Sequence, residues 1–147
     1  MKRFDLPPVW LIGAVALSWG LSKLTPELVF GTWSSLGGAF LFAAGIVLTG
    51  LAVNEFNKSR TTIIPGLTPE ALVTSGIFRF SRNPIYLADV LFLTAFILWW
   101  DAILALPLIP VFIWIIRTRF INWEETRLAE TFGTSFEEFK SRTGRWI

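Results

Sequence analysis

The sequence predicts an all-α integral membrane bundle of four transmembrane helices, on three observations: its apolar stretches, its aromatic composition and the one-sided placing of its basic residues. Of 147 residues, 53% are hydrophobic and 16% charged, where a soluble domain carries roughly a quarter charged residues. Eight tryptophans and fourteen phenylalanines stand against one tyrosine, a balance that suits lipid contact better than a hydrated surface.

Apolar stretches run over about 6–24, 33–56, 84–100 and 102–120. A helix rising ~1.5 Å per residue needs roughly 20 residues to cross the hydrocarbon core, so each stretch is a candidate span. Only Trp99-Trp100-Asp101 separates the last two. That spacing predicts a tight hairpin of the third and fourth helices, with both tryptophans at headgroup level. Gly37, Gly38, Ala43, Ala44 and Gly45 suit close packing of the second helix. Pro107 and Pro110 predict a bend in the fourth.

Basic residues set the orientation. With the N-terminus inside, Lys2, Arg3, Lys58, Arg60, Arg79, Arg82, Arg117, Arg119, Arg127, Lys140, Arg142 and Arg145 fall on the cytoplasmic side, and only Lys23 falls outside. Both termini are therefore expected in the cytoplasm. Lys2-Arg3 before an apolar run also resembles a secretory signal peptide. Asp5, Pro7 and Pro8 interrupt that pattern, and no A-x-A-like cleavage site follows.

The inner loop, about 57–83, is rich in Thr, Pro and Gly and longer than a connector requires, as functional loops often are. The polar tail, 121–147, repeats Ile121, Leu128, Phe132, Phe136 and Phe139 at helical spacing. This predicts an amphipathic segment lying against the membrane face. Gly133 interrupts it, Ser135 with Glu138 offers a capping box, and Trp146 offers an interfacial anchor.

Composition also excludes. Without cysteine there is no disulfide framework, thiolate nucleophile or cysteine zinc site, and without histidine the commonest general base and metal ligand are gone. No metal is expected. A formal charge of +2 with scattered basic residues gives no reason to expect nucleic acid. No dinucleotide or phosphate loop and no H-E-x-x-H occurs. Chemistry falls to carboxylates, arginines, amides, hydroxyls and the backbone.

Two segments carry candidate groups. In Ser81-Arg82-Asn83-Pro84-Ile85-Tyr86, Pro84 suits a first helical turn and Asn83 the N-cap, so a helix N-terminus opens at the cytoplasmic surface beside Arg82. The plainer reading is a topological arginine and an ordinary helix start. In Asn122-Trp123-Glu124-Glu125-Thr126-Arg127, two carboxylates follow the fourth helix, and the hairpin returns them to the same face. Arginine and N–H groups for a carboxylate, with Glu for an ammonium or sulfonium, can hold a zwitterion. The plainer reading there is a solvated turn with Glu124 paired to Arg127. Asp89 sits five residues past Pro84, roughly 7–8 Å into the third helix, where an ionisable group is by default a functional candidate.

Thr61-Thr62, Pro65 and the run Leu72-Val73-Thr74-Ser75-Gly76-Ile77-Phe78-Arg79-Phe80-Ser81-Arg82-Asn83-Pro84-Ile85-Tyr86 resemble the core of the membrane isoprenylcysteine carboxyl methyltransferase and phospholipid methyltransferase superfamily. Glu124-Glu125-Thr126-Arg127-Leu128, then Phe132-Gly133, Phe136, Phe139 and Arg145-Trp146, resemble its C-terminal signature. The resemblance covers about 60–147. It implies S-adenosylmethionine bound at the cytoplasmic edge of the last two helices, S-adenosylhomocysteine as product, and methyl transfer to a lipophilic acceptor within the bilayer. It implies cofactor contacts at Val73, Thr74, Gly76, Arg82, Asn83, Tyr86, Glu124 and Glu125; Arg82, Glu124 and Glu125, with Asp89 added for its place within a span, form the candidate catalytic set. Asn83 departs from the histidine of the eukaryotic carboxyl methyltransferases and resembles the Arg-Asn-Pro of small prokaryotic-type members, which implies an inner-membrane protein. The acceptor would be an isoprenylcysteine-like carboxylate, which needs no base, or a lipid amine, which must first lose a proton to Glu124, Glu125 or Asp89. Two other classes stay open: a small proton-coupled multidrug-type transporter built on Asp89, and a non-catalytic membrane adaptor using the loop and tail.

Overall fold

The computed structural model describes residues 6–24, 31–60 and 70–147. Thr61, Thr62 and Pro65 of the loop motif, and Lys2, Arg3 and Asp5 near the start, lie outside the described residues. Helix α1 spans Pro7–Ser22 and α2 spans Thr32–Lys58. A 3₁₀ turn at Gly76–Arg79 leads to α3, Pro84–Trp99. After a second 3₁₀ turn, Ile103–Ala105, come α4 at Leu108–Ile116, a π turn at Arg117–Ile121, α5 at Asn122–Phe132 and α6 at Thr134–Arg142.

Among the described residues, two helical stretches are long and apolar enough to cross a membrane, Trp33–Lys58 with 26 residues and Ile103–Phe132 with 30. Helices α1 and α3 are apolar but have 16 residues each, about 24 Å of rise. The outward side chains match that character. Trp33, Phe40, Ile12, Trp114 and Leu36 are all more than 60% exposed. Water solvates such a surface poorly and lipid solvates it well.

The bundle closes around α3, which packs against α1, α2 and α4. Its Tyr86, Leu93 and Ile97 join Ala102, Ala105, Phe112, Ile116, Phe120 and Ile121 in one buried cluster. Small residues on α2 set the α2–α3 distance, as the sequence predicts. A Cβ on Gly45 would stand 2.6 Å from the Phe92 ring, and one on Gly38 would stand 2.9 Å from the Ala95 carbonyl oxygen. Phe42 fills the remaining space, 5.2 Å from Phe92 and 5.1 Å from Trp99 between ring centroids. Ala43 faces outward instead.

The hairpin corner falls where the tryptophans predict it. Asp101 adopts φ 50°, a left-handed turn that Asp tolerates better than most side chains. Trp99 donates its indole N–H to the Ser35 carbonyl at 3.1 Å.

Three expectations are corrected. Pro107 and Pro110 do not bend α4, because they occupy its N-cap and first turn, where no intrahelical N–H is required. The irregularity lies further on, in the wide π turn, where Thr118 back-bonds to the Trp114 carbonyl at 2.8 Å. Ser135 and Glu138 form no capping box, since α6 starts at Thr134 and has no side-chain cap. The apolar face of the tail is covered by protein rather than laid open to the membrane. Phe136 and Phe139 are buried with Ala52, Val73 and Phe78, with Leu128 and Phe132 against them, and Trp146 packs on the main cluster.

Candidate functional site

The site is built where the loop after α2, the start of α3, α5 and the segment after α6 converge. The loop is fixed first. Glu55, the only charged residue within the second apolar stretch as far as Phe56, is buried and accepts hydrogen bonds from Ser75 Oγ at 2.6 Å and Lys58 Nζ at 2.8 Å. Gly76 lies on top of it at φ 56°. A Cβ there would come within 2.5 Å of the Glu55 carboxyl carbon, so glycine is required for both backbone and space. Phe78 then turns inward, its ring 5.2 Å from Phe56.

This anchoring delivers Ser81, Arg82 and Asn83 to the N-terminus of α3. Ser81 is buried and its hydroxyl accepts the Asn83 N–H at 3.1 Å. Asn83 occupies the N-cap, but its side chain does not cap the helix. Its Nδ2 donates to the Arg145 carbonyl at 3.0 Å, and the Arg82 N–H donates to the Gly144 carbonyl at 3.0 Å. The tail is thereby strapped across the mouth of α3.

Two side-chain bridges join α5 to the start of α3 and the segment just before it. Arg82 Nη2 lies 3.4 Å from Glu125 Oε1, with side-chain exposures of 10% and 13%. One turn deeper, the Tyr86 hydroxyl donates to Glu124 Oε1 at 2.8 Å. Glu125 is also held by Arg145, whose Nε donates to Oε1 at 3.1 Å while Nη2 reaches Oε2. One carboxylate thus receives two guanidinium groups, the fork geometry that favours arginine. The expected Glu124–Arg127 pairing is replaced by the tyrosine bridge, and Arg127 stacks 4.8 Å over Trp123.

Arg82 is left with polar capacity to spare. Its Nε and Nη1 are buried without a hydrogen-bond partner among the described residues. A buried unsatisfied donor costs about 1–3 kcal/mol, more on a charged group, so these N–H groups are suited to an anionic ligand. Asp89, half-buried, lies three residues beyond Tyr86, about 4.5 Å further along the axis of α3.

Of the residues the sequence singles out, the fold brings together Arg82, Asn83, Tyr86, Glu124 and Glu125. Val73 is committed to the second buried cluster and Gly76 to Glu55, while Thr74 is half-buried beside them. Sequence reasoning missed Arg145 and Glu55. Arg145 stands in the sequence as a cytoplasmic cation and as part of the C-terminal signature, but no spacing rule joins positions 125 and 145 to give it a place in the site. Glu55 did carry a signal, being an acidic residue within an otherwise apolar span. Among the described residues no group of three or more Asp or Glu side chains is placed to hold a metal ion.

Set beside known proteins, the phospholipid methyltransferase family model matches residues 33–135. The match runs from α2 into α6 and takes in Arg82, Tyr86, Asp89, Glu124 and Glu125. No curated protein and no solved structure matches the chain.

Proposed function

The chain belongs to the phospholipid methyltransferase family, and from that premise we propose that it transfers a methyl group from S-adenosylmethionine to a lipophilic acceptor at the cytoplasmic face of a membrane. The observation that carries the reading is Arg82 beside the α3 N-terminus, whose Nε and Nη1 are buried without a hydrogen-bond partner among the described residues. A carboxylate is the ligand group that such N–H groups and such a helix end both favour.

The residues fit the cofactor. Arg82 would receive its carboxylate, and Glu124, fixed by Tyr86, would face its positive charge. Glu125 would act on the cofactor through Arg82, because it holds that guanidinium at Nη2 and leaves Nε and Nη1 without a partner among the described residues. The strap at Gly144 and Arg145 would exclude water from above. When bound, S-adenosylmethionine supplies a methyl group on an already activated sulfonium, so the protein's share is alignment and desolvation. Asp89, deeper along α3, would meet the acceptor, and for a lipid amine it would take the proton that frees the nitrogen lone pair. The topology belongs to the same proposal: four crossings, with both termini and the 57–83 loop cytoplasmic, so that a polar cofactor enters from the cytosol and the acceptor from the bilayer.

The test is calorimetric titration of the purified protein with S-adenosylhomocysteine, repeated with Arg82→Ala. Binding by the parent and a loss of roughly tenfold or more in the variant are expected, the worth of one charge-assisted hydrogen bond at about 1.5–3 kcal/mol. Equal affinity would reduce Arg82 to a topological residue. No binding by the parent would remove the reading.

A further inference from the structure

We infer that Arg145 is a positioning residue for the proposed site: by forking onto Glu125, it keeps Arg82 from closing on that carboxylate and leaves Arg82 able to receive an anion. The inference deepens the methyl-transfer reading and rests on it for the identity of that anion.

Two guanidinium groups meet one carboxylate, and they meet it unequally. Arg145 takes both oxygens, Nε donating to Oε1 at 3.1 Å and Nη2 to Oε2. Arg82 reaches Oε1 through Nη2 at 3.4 Å, longer than a good hydrogen bond. A planar guanidinium presents its donors as a fixed fork, and a carboxylate receives such a fork across its two oxygens. Arg145 already fills that position. Arg82 is therefore held beside Glu125 without being closed on it.

Burial makes the division matter. The Arg82 side chain is 10% exposed against 26% for Arg145, and attraction between charges strengthens as water is excluded. Without the Arg145 fork, Arg82 and Glu125 would form one of their own. It would take Nη2 together with Nε or Nη1, the two nitrogens that have no hydrogen-bond partner among the described residues. Charge points the same way. Two arginines and one glutamate leave this trio with one positive charge in excess, and removing Arg145 brings the balance to zero.

The backbone separates this role from that of a tie. The tail is fastened over α3 by main-chain carbonyls, Gly144 accepting from the Arg82 N–H and Arg145 from Asn83 Nδ2. Neither bond uses the Arg145 side chain.

The test is calorimetric titration with S-adenosylhomocysteine of the parent, Arg145→Ala and the double variant Arg145→Ala/Glu125→Gln, each well below its unfolding midpoint. Arg145→Ala should weaken binding by about tenfold. The double variant removes the competing carboxylate and restores the excess charge, so its affinity should return to within about threefold of the parent. A structural tie predicts the reverse, a double variant weaker than the single one. That result, or unchanged affinity in Arg145→Ala, would overturn the inference. Exchange of the Arg82 guanidinium protons, followed by nuclear magnetic resonance in the unliganded protein, reads the rearrangement without any cofactor. It should slow by about fivefold or more in Arg145→Ala as those protons become bonded, and equal rates would also overturn the inference. Should the parent not bind, the cofactor reading fails, and the exchange rates still decide whether Arg145 holds Arg82 open. Where Arg145→Ala does not fold, Arg145→Gln, which lacks the guanidinium fork, takes its place.

Discussion

Arg145 grips Glu125 through two nitrogens of one guanidinium, joining the segment after α6 to the first turn of α5 across 20 positions of sequence. The same carboxylate meets Arg82, so three charges from three parts of the chain share one partly dry site.

That sharing predicts an order of effects. Glu125→Gln leaves two buried or half-buried arginines without their counter-charge and should destabilise more than Arg145→Ala, which leaves Glu125 still paired to Arg82. About 1–3 kcal/mol is expected for Arg145→Ala, which is partly exposed. Thermal unfolding in detergent ranks the variants, and amide exchange at Arg82 reports the strap, since its N–H is held by Gly144. Equal unfolding midpoints for the two variants would show that the fork is not a structural tie.

The carboxylates should divide their work by depth. Glu124→Gln is expected to weaken S-adenosylhomocysteine binding, and Tyr86→Phe should do so more mildly, by removing the hydroxyl that orients Glu124. Asp89→Asn should leave that binding largely intact and change the acceptor's KM or the pH dependence of turnover. Calorimetry followed by methyl-transfer kinetics separates them. Loss of cofactor binding in Asp89→Asn alone would reverse the assignment.

Helix contact gives a stability test remote from the site. Gly45→Leu must displace the Phe92 ring and should cost roughly 1–3 kcal/mol through overpacking. Gly50→Ala, on the same helix with open space around it, should be neutral or slightly stabilising. Matching losses from both would mean that α2 and α3 do not touch at Gly45.

Topology can be read without any substrate. Reporters placed near residue 66 and at residue 147 should register cytoplasm, and one near residue 28 the outside. A cytoplasmic signal near residue 28 would end the four-crossing proposal.

Helix positions were legible because lipid-facing helices need long apolar runs, and Pro84, Trp99 and Trp100 mark their ends by plain chemistry. The meeting of Arg82 with Glu125 was legible as well, since a hairpin returns both ends of its arms to one face. The partners of those residues were not. Arg145 and Glu125 are joined by a fold-back of the tail, and Ser75 and Glu55 by a loop landing on α2, contacts that periodicity does not encode. The tail's phenylalanines suggest a membrane-seeking face because an amphipathic pattern looks the same whether lipid or protein covers it.

The π turn at Arg117–Ile121 separates two properties that one helix would otherwise tie together. A π turn holds about one residue more than an α turn, so it rotates everything after it by roughly 100° about the axis. The apolar length before it is untouched, yet the bearing of Glu124 and Glu125 relative to Arg82 and Tyr86 depends on that single extra residue. A lineage could therefore acquire or discard the carboxylate-facing geometry by gaining or losing one codon, while the part of the protein that lives in the membrane stays as it was.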